Sequence, residues 1–360
     1  MLQGIRIVEF EGLGPGPFAA MHLAQLGAEV VVIHRKGGAD NPSKAARNPL
    51  DRGKRSIALD LKDPDDLAVV MALAARADAI IEGFRPGVME RLGLGPEVLH
   101  EVNPGLVYGR MTGWGQHGPR AERAGHDLNY LSLSGALHYA GHPGDAPVSP
   151  ATMLGDIGGG ALYLTIGILS GILRARGGGG GCVVDAAIVD GSAHMMGLLM
   201  SLQAQNALSE TRGQSLLDGP HWSRAYRCKD GKWLTVQALE AKFYSEFLDR
   251  MGVAEEEVFA SQYDPKSWGP ATARLTMLFA LRDRDDWAEI FAESDACVAP
   301  VMSPWEAAEE PHMRAREVWR KAPEGLVPGA APRFGDWHAG ETELPERDGD
   351  RAEILKELGL

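Results

Sequence analysis

Two short runs set an ionisable side chain among glycines: Ala124-Gly125-His126-Asp127 and, thirty residues on, Gly155-Asp156-Ile157-Gly158-Gly159-Gly160. Glycine lets a backbone approach a ligand with no Cβ in the way. Imidazole exchanges protons near neutrality. A carboxyl on the far side of a small substrate could return a proton to the opposite face, which is the equipment of an isomerase working at an acidic carbon centre. If a helix starts at His126, the N–H of Asp127 faces whatever the imidazole faces. That donor and the positive end of the helix would then stabilise a developing enolate oxygen. Asp156 has a second reading as the N-cap of the apolar helix that follows it. Gly158, Gly159 and Gly160 weaken that helix, so packing or ligand approach must account for them.

The elements that would position these residues alternate. Ile5–Phe10, Val30–Ile33, Ile57–Leu59, Ala79–Ile81, Leu106–Tyr108 and Val183–Ala186 are strand-like. Between them lie helical patterns such as Pro17–Leu26, and one opened by Asp63 as N-cap with Pro64 behind it. Such alternation predicts an α/β fold with a parallel sheet covered by helices. The pattern changes near residue 220. Ala225–Cys228 and Trp233–Val236 flank Lys229-Asp230-Gly231, a hairpin signal. Helical stretches follow at Lys242–Met251, Ala271–Leu281 and Asp285–Ser294, predicting a smaller α+β domain. Gly177–Gly181 reads as a flexible turn, and no internal repeat is visible.

Composition narrows the function. At 360 residues the chain exceeds one ordinary core, so two domains are expected. A net charge of −13 without a basic block argues against nucleic acid. Three scattered cysteines, Cys182, Cys228 and Cys297, offer neither a disulfide framework nor zinc spacing. The opening residues enter a strand at once, leaving no room for a signal peptide. Ala161–Leu173, the most apolar stretch, is short for a membrane span. A cytoplasmic protein without membrane insertion is expected.

Gly14-Pro-Gly16-Pro-Phe-Ala19 matches a dinucleotide fingerprint by letter, but its prolines remove two N–H donors that a pyrophosphate would use. A tight strand-to-helix turn is the better reading. Arg35, Arg52, Lys54, Arg55, Lys62, Arg85 and Arg91 recur near the expected sheet edge, where they could meet the phosphates of a nucleotide. H-E-x-x-H, G-x-S-x-G and the P-loop signature are absent, and no metal is indicated.

In order and spacing, the Gly12–Pro17 run, Ile81-Glu-Gly-Phe-Arg-Pro-Gly87, Glu90-Arg-Leu-Gly-Leu-Gly95, Gly109–Pro119, the His126 and Asp156 runs and Cys182–Gly191 resemble the α-methylacyl-CoA racemase branch of the family III CoA-transferases. The resemblance implies a Rossmann-like, CoA-binding large domain over residues 1–190 and a helical linker over 191–220. A small α+β domain would occupy 221–300, and residues 301–360 would return to the large domain. It implies an interlocked homodimer whose substrate is an acyl-CoA thioester, with CoA as part of the substrate and no separate cofactor. By the same resemblance His126 and Asp156 are opposed acid/bases, and Glu240 is an acidic partner of His126 supplied across the dimer. Glu240 also reads simply as a helix cap. CoA would contact Arg35, Leu59, Asp60, Leu61, Lys62, Gly83, Phe84, Arg85 and Arg91, with Gly125, Asp127, Leu128, Asn129 and Tyr130 around the thioester. Met195, Met196 and Met200 would give an adaptable apolar surface to the acyl tail, or else plain core packing. In the transferase branch the residue matching Asp156 is a nucleophile that forms an acyl anhydride, so that activity, or CoA binding without catalysis, stays open as an alternative.

Overall fold

Successive side chains of a strand point to opposite faces, so an unbroken run of β-branched residues supplies both. The computed structural model describes residues 1–38, 47–337, 340 and 342–360. It sets six strands in one parallel sheet: β1 (Arg6–Phe10), β2 (Glu29–Arg35), β3 (Arg55–Leu59), β4 (Ala79–Glu82), β5 (Val107–Thr112) and β6 (Cys182–Ala187). Their order is β3-β2-β1-β4-β5-β6, so the chain reverses direction across the sheet between β1 and β4. In open α/β sheets such a switch opens a crevice at the carboxyl ends of the strands.

Ile7 and Val8 are neighbours on β1 and enter two different cores. Helices therefore cover both faces. The core around Ile7 takes in α1 (Pro15–Gln25), while the core around Val8 takes in α2 (Pro64–Ala74), α3 (Val88–Arg91) and α4 (Pro96–Val102). Asp63 caps α2, its side chain accepting the Asp65 N–H at 2.9 Å, and Pro64 follows where a missing N–H costs nothing. After β5 come α5 (Asp127–Ser134), a π-helical turn (Met153–Ala161), α6 (Leu162–Arg174) and α7 (Ile188–Met195).

The π turn and α6 run on as one helical stretch, Met153–Gly179, which is 27 residues long and contains an 18-residue window of mean hydropathy 1.5. By length and composition it is enough to cross a membrane, where the sequence suggested a shorter apolar run. Leu164, Ile168 and Ile172 are buried in the Ile7 core, while Ile166 and Leu173 are exposed. Gly167 and Gly171 face Val184 and Val107 of the sheet with no space for a side chain.

Two compact units divide the chain: residues 1–137, 149–196 and 330–360 form the first, and residues 138–148 and 197–329 the second. The second holds α8 (Gly197–Ser201) and the antiparallel strands β7 (Ser223–Arg227), β8 (Trp233–Gln237) and β9 (Val298–Pro300). It continues with α9 (Ala241–Met251), α10 (Pro265–Phe279), α11 (Arg284–Phe291), α12 (Pro304–Glu309), α13 (Pro311–Ala315) and the hairpin β10 (Trp319–Ala322) and β11 (Gly325–Pro328). Asp230-Gly231 turns β7 into β8, with Gly231 at φ 83°. Tyr226, Phe247, Phe279, Trp287 and Phe291 stack at the centre of this unit.

The last segment, ending in α14 (Arg351–Leu358), closes the first unit. Asp348 and Asp350 side chains accept the N–H groups of Ala58 and Ser56 at 2.7 and 2.8 Å, and Arg351 donates to the Ala58 carbonyl at 2.8 Å. Side chains thus satisfy the outer edge of β3, beside which no further strand lies among the described residues.

Candidate active site

His126 stands at the N-cap of α5, with its backbone extended at φ −139°. Its N–H donates to Asn129 Oδ1 at 3.0 Å and its carbonyl accepts the Asn129 N–H at 2.8 Å. The Asn129 side chain is thereby engaged in holding the helix start. Gly125 must be glycine: a Cβ would lie 2.7 Å from the Tyr130 ring and 3.0 Å from Trp114. The Tyr130 hydroxyl donates to the Gly125 carbonyl, and Trp114 meets Tyr130 edge-on at 4.8 Å. Arg120 lies over Trp114 at 5.6 Å. This clamp presents the His126 side chain to the exterior, while Leu128 is exposed and Tyr130 buried. The N–H of Asp127, the first residue of α5, has no partner within the helix.

Asp156 is not an N-cap. The cap is Thr152, in the left-handed region at φ 59°, and Asp156 is the fourth residue of the π turn. Wide turns of this kind recur at functional sites. The glycines after Asp156 serve packing: at Gly159 a Cβ would meet Ser192, at Gly160 Ile188, and at Gly158 the Met195 sulfur at 3.2 Å. The Asp156 N–H donates to Asp127 Oδ1 at 2.8 Å. Gly155 permits that bond, since a Cβ there would sit 2.5 Å from the same oxygen. The half-buried Asp156 carboxyl is pushed up to about 6, first by burial and then by the Asp127 charge, with His126 pulling the other way. Asp156 in turn helps burial to raise the Tyr130 hydroxyl. Gly14, at the turn from β1 into α1, faces Asp156 Oδ2. His126, Asp127, Tyr130 and Asp156 therefore form one cluster.

The residues expected to hold CoA line the carboxyl ends of the strands. Arg35 ends β2 beside Leu59, its register partner on β3, and its guanidinium is exposed. Leu59 is buried, Leu61 half-buried, and Asp60 and Lys62 exposed; Asp60 Oδ1 accepts the Lys62 N–H at 3.0 Å. Gly83, Phe84 and Arg85 follow β4, and Arg91 ends α3. Phe84 packs edge-on against Phe10, and its N–H donates to Glu82 Oε2 at 2.7 Å.

Sequence reasoning missed what underlies that turn. Glu82 is buried, and burial pushes its carboxyl up to about 7 although Arg110 stands 3.3 Å away. Arg110 also pairs with Glu90 and donates to Gln116 Oε1 at 2.9 Å. One guanidinium thus joins the 82–85 turn, the helix bearing Arg91 and the loop leading to His126. A Glu at the inner end of an apolar strand was the available signal.

Two members of the basic set are taken up in ion pairs within the first unit instead. Lys54 is buried in an ion pair with Glu9, with the Pro17 carbonyl at 3.2 Å, and Arg55 joins Glu29 to Glu357 at 2.9 and 2.8 Å. Arg52 donates to the Thr342 carbonyl. Met195 and Met196 end α7, half-buried, against Gly158 and Gly135. Met200, on α8, and Glu240, at the N-cap position of α9, belong to the second unit, and Glu240 is exposed and makes no side-chain cap bond. Among the described residues no group of three or more His, Cys, Asp or Glu side chains is placed to hold a metal.

The CoA-transferase family III description matches residues 2–350. The α-methylacyl-CoA racemases of Mus musculus and Homo sapiens are 41% and 40% identical over 318 and 317 residues, covering 88% of this chain and 81% of each relative. A crystal structure of a CAIB/BAIF family protein from Brucella suis superposes with a TM-score of 0.82 at 27% identity, covering 99% of this chain and 98% of that one. With nearly its whole length matched and the fold shared, the chain belongs to CoA-transferase family III.

Proposed function

We propose that the protein interconverts (R)- and (S)-2-methylacyl-CoA thioesters by proton transfer at one carbon. The observation that carries this reading is the carboxyl of Asp156, raised to about 6 within the same cluster as His126. A group that gains and loses a proton near neutral pH suits acid/base work, whereas a nucleophile would gain from a lowered value. The racemase relatives at about 40% identity support the same branch.

In this mechanism the thioester carbonyl acidifies the α-hydrogen. Neutral His126 takes that proton from the (S) substrate, and the electron pair of the C–H bond becomes the enolate. The Asp127 N–H, at the start of α5, stabilises the enolate oxygen. Protonated Asp156 then delivers its proton to the opposite face, giving the (R) thioester. The enzyme is left with protonated His126 and ionised Asp156, the state that runs the reverse reaction. The pair carries one proton in either direction, on Asp156 before one turnover and on His126 before the reverse. Arg35, Lys62, Arg85 and Arg91 bind the CoA phosphates, and the 83–85 turn and Leu59–Lys62 hold the rest of CoA. Met195, Met196 and Met200 accept the acyl tail. In an interlocked homodimer, Glu240 of a second copy orients His126. No separate cofactor enters these steps, and the enzyme acts in the cytoplasm.

The test is α-proton exchange in D₂O, followed by NMR on 2-methylacyl-CoA thioesters. His126→Ala and Asp156→Asn should each lower exchange by about 10²–10⁴-fold. Near-wild-type deuterium incorporation in His126→Ala would sink the assignment. Trapping of an Asp156 acyl anhydride by hydroxylamine, without α-exchange, would identify a transferase instead. Light scattering on the eluted protein tests the dimer.

A further inference from the structure

We infer that the Asp127 side chain is a positioning residue for Asp156: it fixes the π turn by accepting the Asp156 N–H, and its charge keeps a proton on the neighbouring carboxyl. This rests on the reading of Asp156 as an acid/base. It assigns a role to the Asp127 carboxylate that is separate from the backbone donor of the same residue.

Three observations meet here. Asp127 is buried, and Oδ1 holds the Asp156 N–H at 2.8 Å, so the two residues keep a set spacing. Gly155 leaves room for that oxygen at the turn, because a Cβ would stand 2.5 Å from it. Oδ2 is buried and has no hydrogen-bond partner among the described residues. A buried carboxylate oxygen without a donor is costly and calls for an explanation. Its negative field, little screened in that setting, falls on the nearest titratable group. Two carboxyl groups sharing a site do not both ionise freely, and the more loosely stabilised one retains its proton.

The other groups around Asp156 do not supply this effect. His126 favours the ionised form of Asp156, and Tyr130 is itself raised by it. From α1 the site meets Gly14, and from α7 the backbone and side chains of Ile188, Ser192 and Met195. Tyr163 of α6 and His194 of α7 bond to each other at 2.6 Å. Asp185 of β6 accepts the Gln116 N–H, and neither it nor Asp190 of α7 is among the charges that act on Asp156. The direction of the Asp156 displacement, with Asp127 second only to burial among its causes, agrees with the geometry.

The experiment is a carboxyl ¹³C titration of the unliganded full chain labelled at aspartate, with the Asp156 signal assigned by its loss in Asp156→Asn. Asp127→Asn retains an oxygen that can accept the Asp156 N–H but removes the charge. The Asp156 midpoint should fall by about one pH unit or more in that variant. The acid limb of the exchange pH profile should move the same way. Asp127→Ser, which also offers a neutral acceptor, should repeat the fall. An unchanged midpoint in a folded neutral variant overturns the inference. So does a wild-type Asp156 midpoint at the ordinary aspartate value, which needs no variant at all. If the midpoint falls as expected but the protein exchanges no α-proton, the racemase reading fails while the coupling stands.

Discussion

Gly159 has no room for a side chain because Ser192 stands against it, with a Cβ placed 2.5 Å from the hydroxyl oxygen and 2.7 Å from the backbone nitrogen. The approach is mutual, since a Cβ on Gly191 would run into the Gly159 carbonyl. α7 and the π turn carrying Asp156 therefore touch backbone to backbone. Gly159→Ala should separate them, costing about 1–3 kcal/mol in urea denaturation despite the better helix propensity of alanine. α-Proton exchange should drop as Asp156 moves. Wild-type stability and exchange together would show that this contact does not set the position of Asp156.

Arg110 serves three partners with one guanidinium, a geometry that an ammonium cannot reproduce. Arg110→Lys should loosen the 82–85 turn and the approach to Arg91. The expected result is a KM for the CoA thioester raised about tenfold, the equivalent of roughly 1.4 kcal/mol, with kcat little changed. Steady-state kinetics decides it. A fall in kcat at constant KM would place the effect of Arg110 at the reacting carbon instead.

Glu82 gives the stability a pH dependence of defined sign. Its folded value is about 7 against an ordinary 4.5, so between these limits the native chain holds a proton that the unfolded chain has released. Stability from this group therefore rises as pH falls from about 7 toward 4.5, and is lost as pH rises through about 7. Glu82→Gln should remove that slope from the thermal midpoint measured across the window. A slope equal to that of the wild type would assign the titration elsewhere.

Asp348 and Asp350 answer two N–H groups on the edge of β3. Replacing both with Ala should cost about 3 kcal/mol, two hydrogen bonds to charged groups. It should also expose a strand edge able to pair with other chains. Thermal denaturation followed by light scattering reads both effects. A double variant that melts at the wild-type temperature without added scattering would show that the C-terminal return is not what protects the edge.

Local chemistry made much of this fold legible. Asp63-Pro64 announces α2, and Asp230-Gly231 turns β7 into β8, because each signal acts within a few residues. β9, three residues long, escaped notice: Val298–Pro300 becomes a strand through pairing with β8, some sixty residues away in sequence. The N-cap reading of Asp156 failed because Thr152 adopts a left-handed conformation and begins a π turn, which composition does not announce. Lys54 looked like one more basic residue near a sheet edge until Glu9, buried on β1, met it. The Asp127–Asp156 contact was equally hidden, since it depends on the spacing of two turns that come together only in the folded chain.

The return of the chain to its first unit has a consequence for biosynthesis. All of residues 197–329 must leave the ribosome before Asp348, Asp350 and Arg351 can reach β3. Until then the nascent sheet carries a raw border, and its protection arrives only once residues 348–351 have been made.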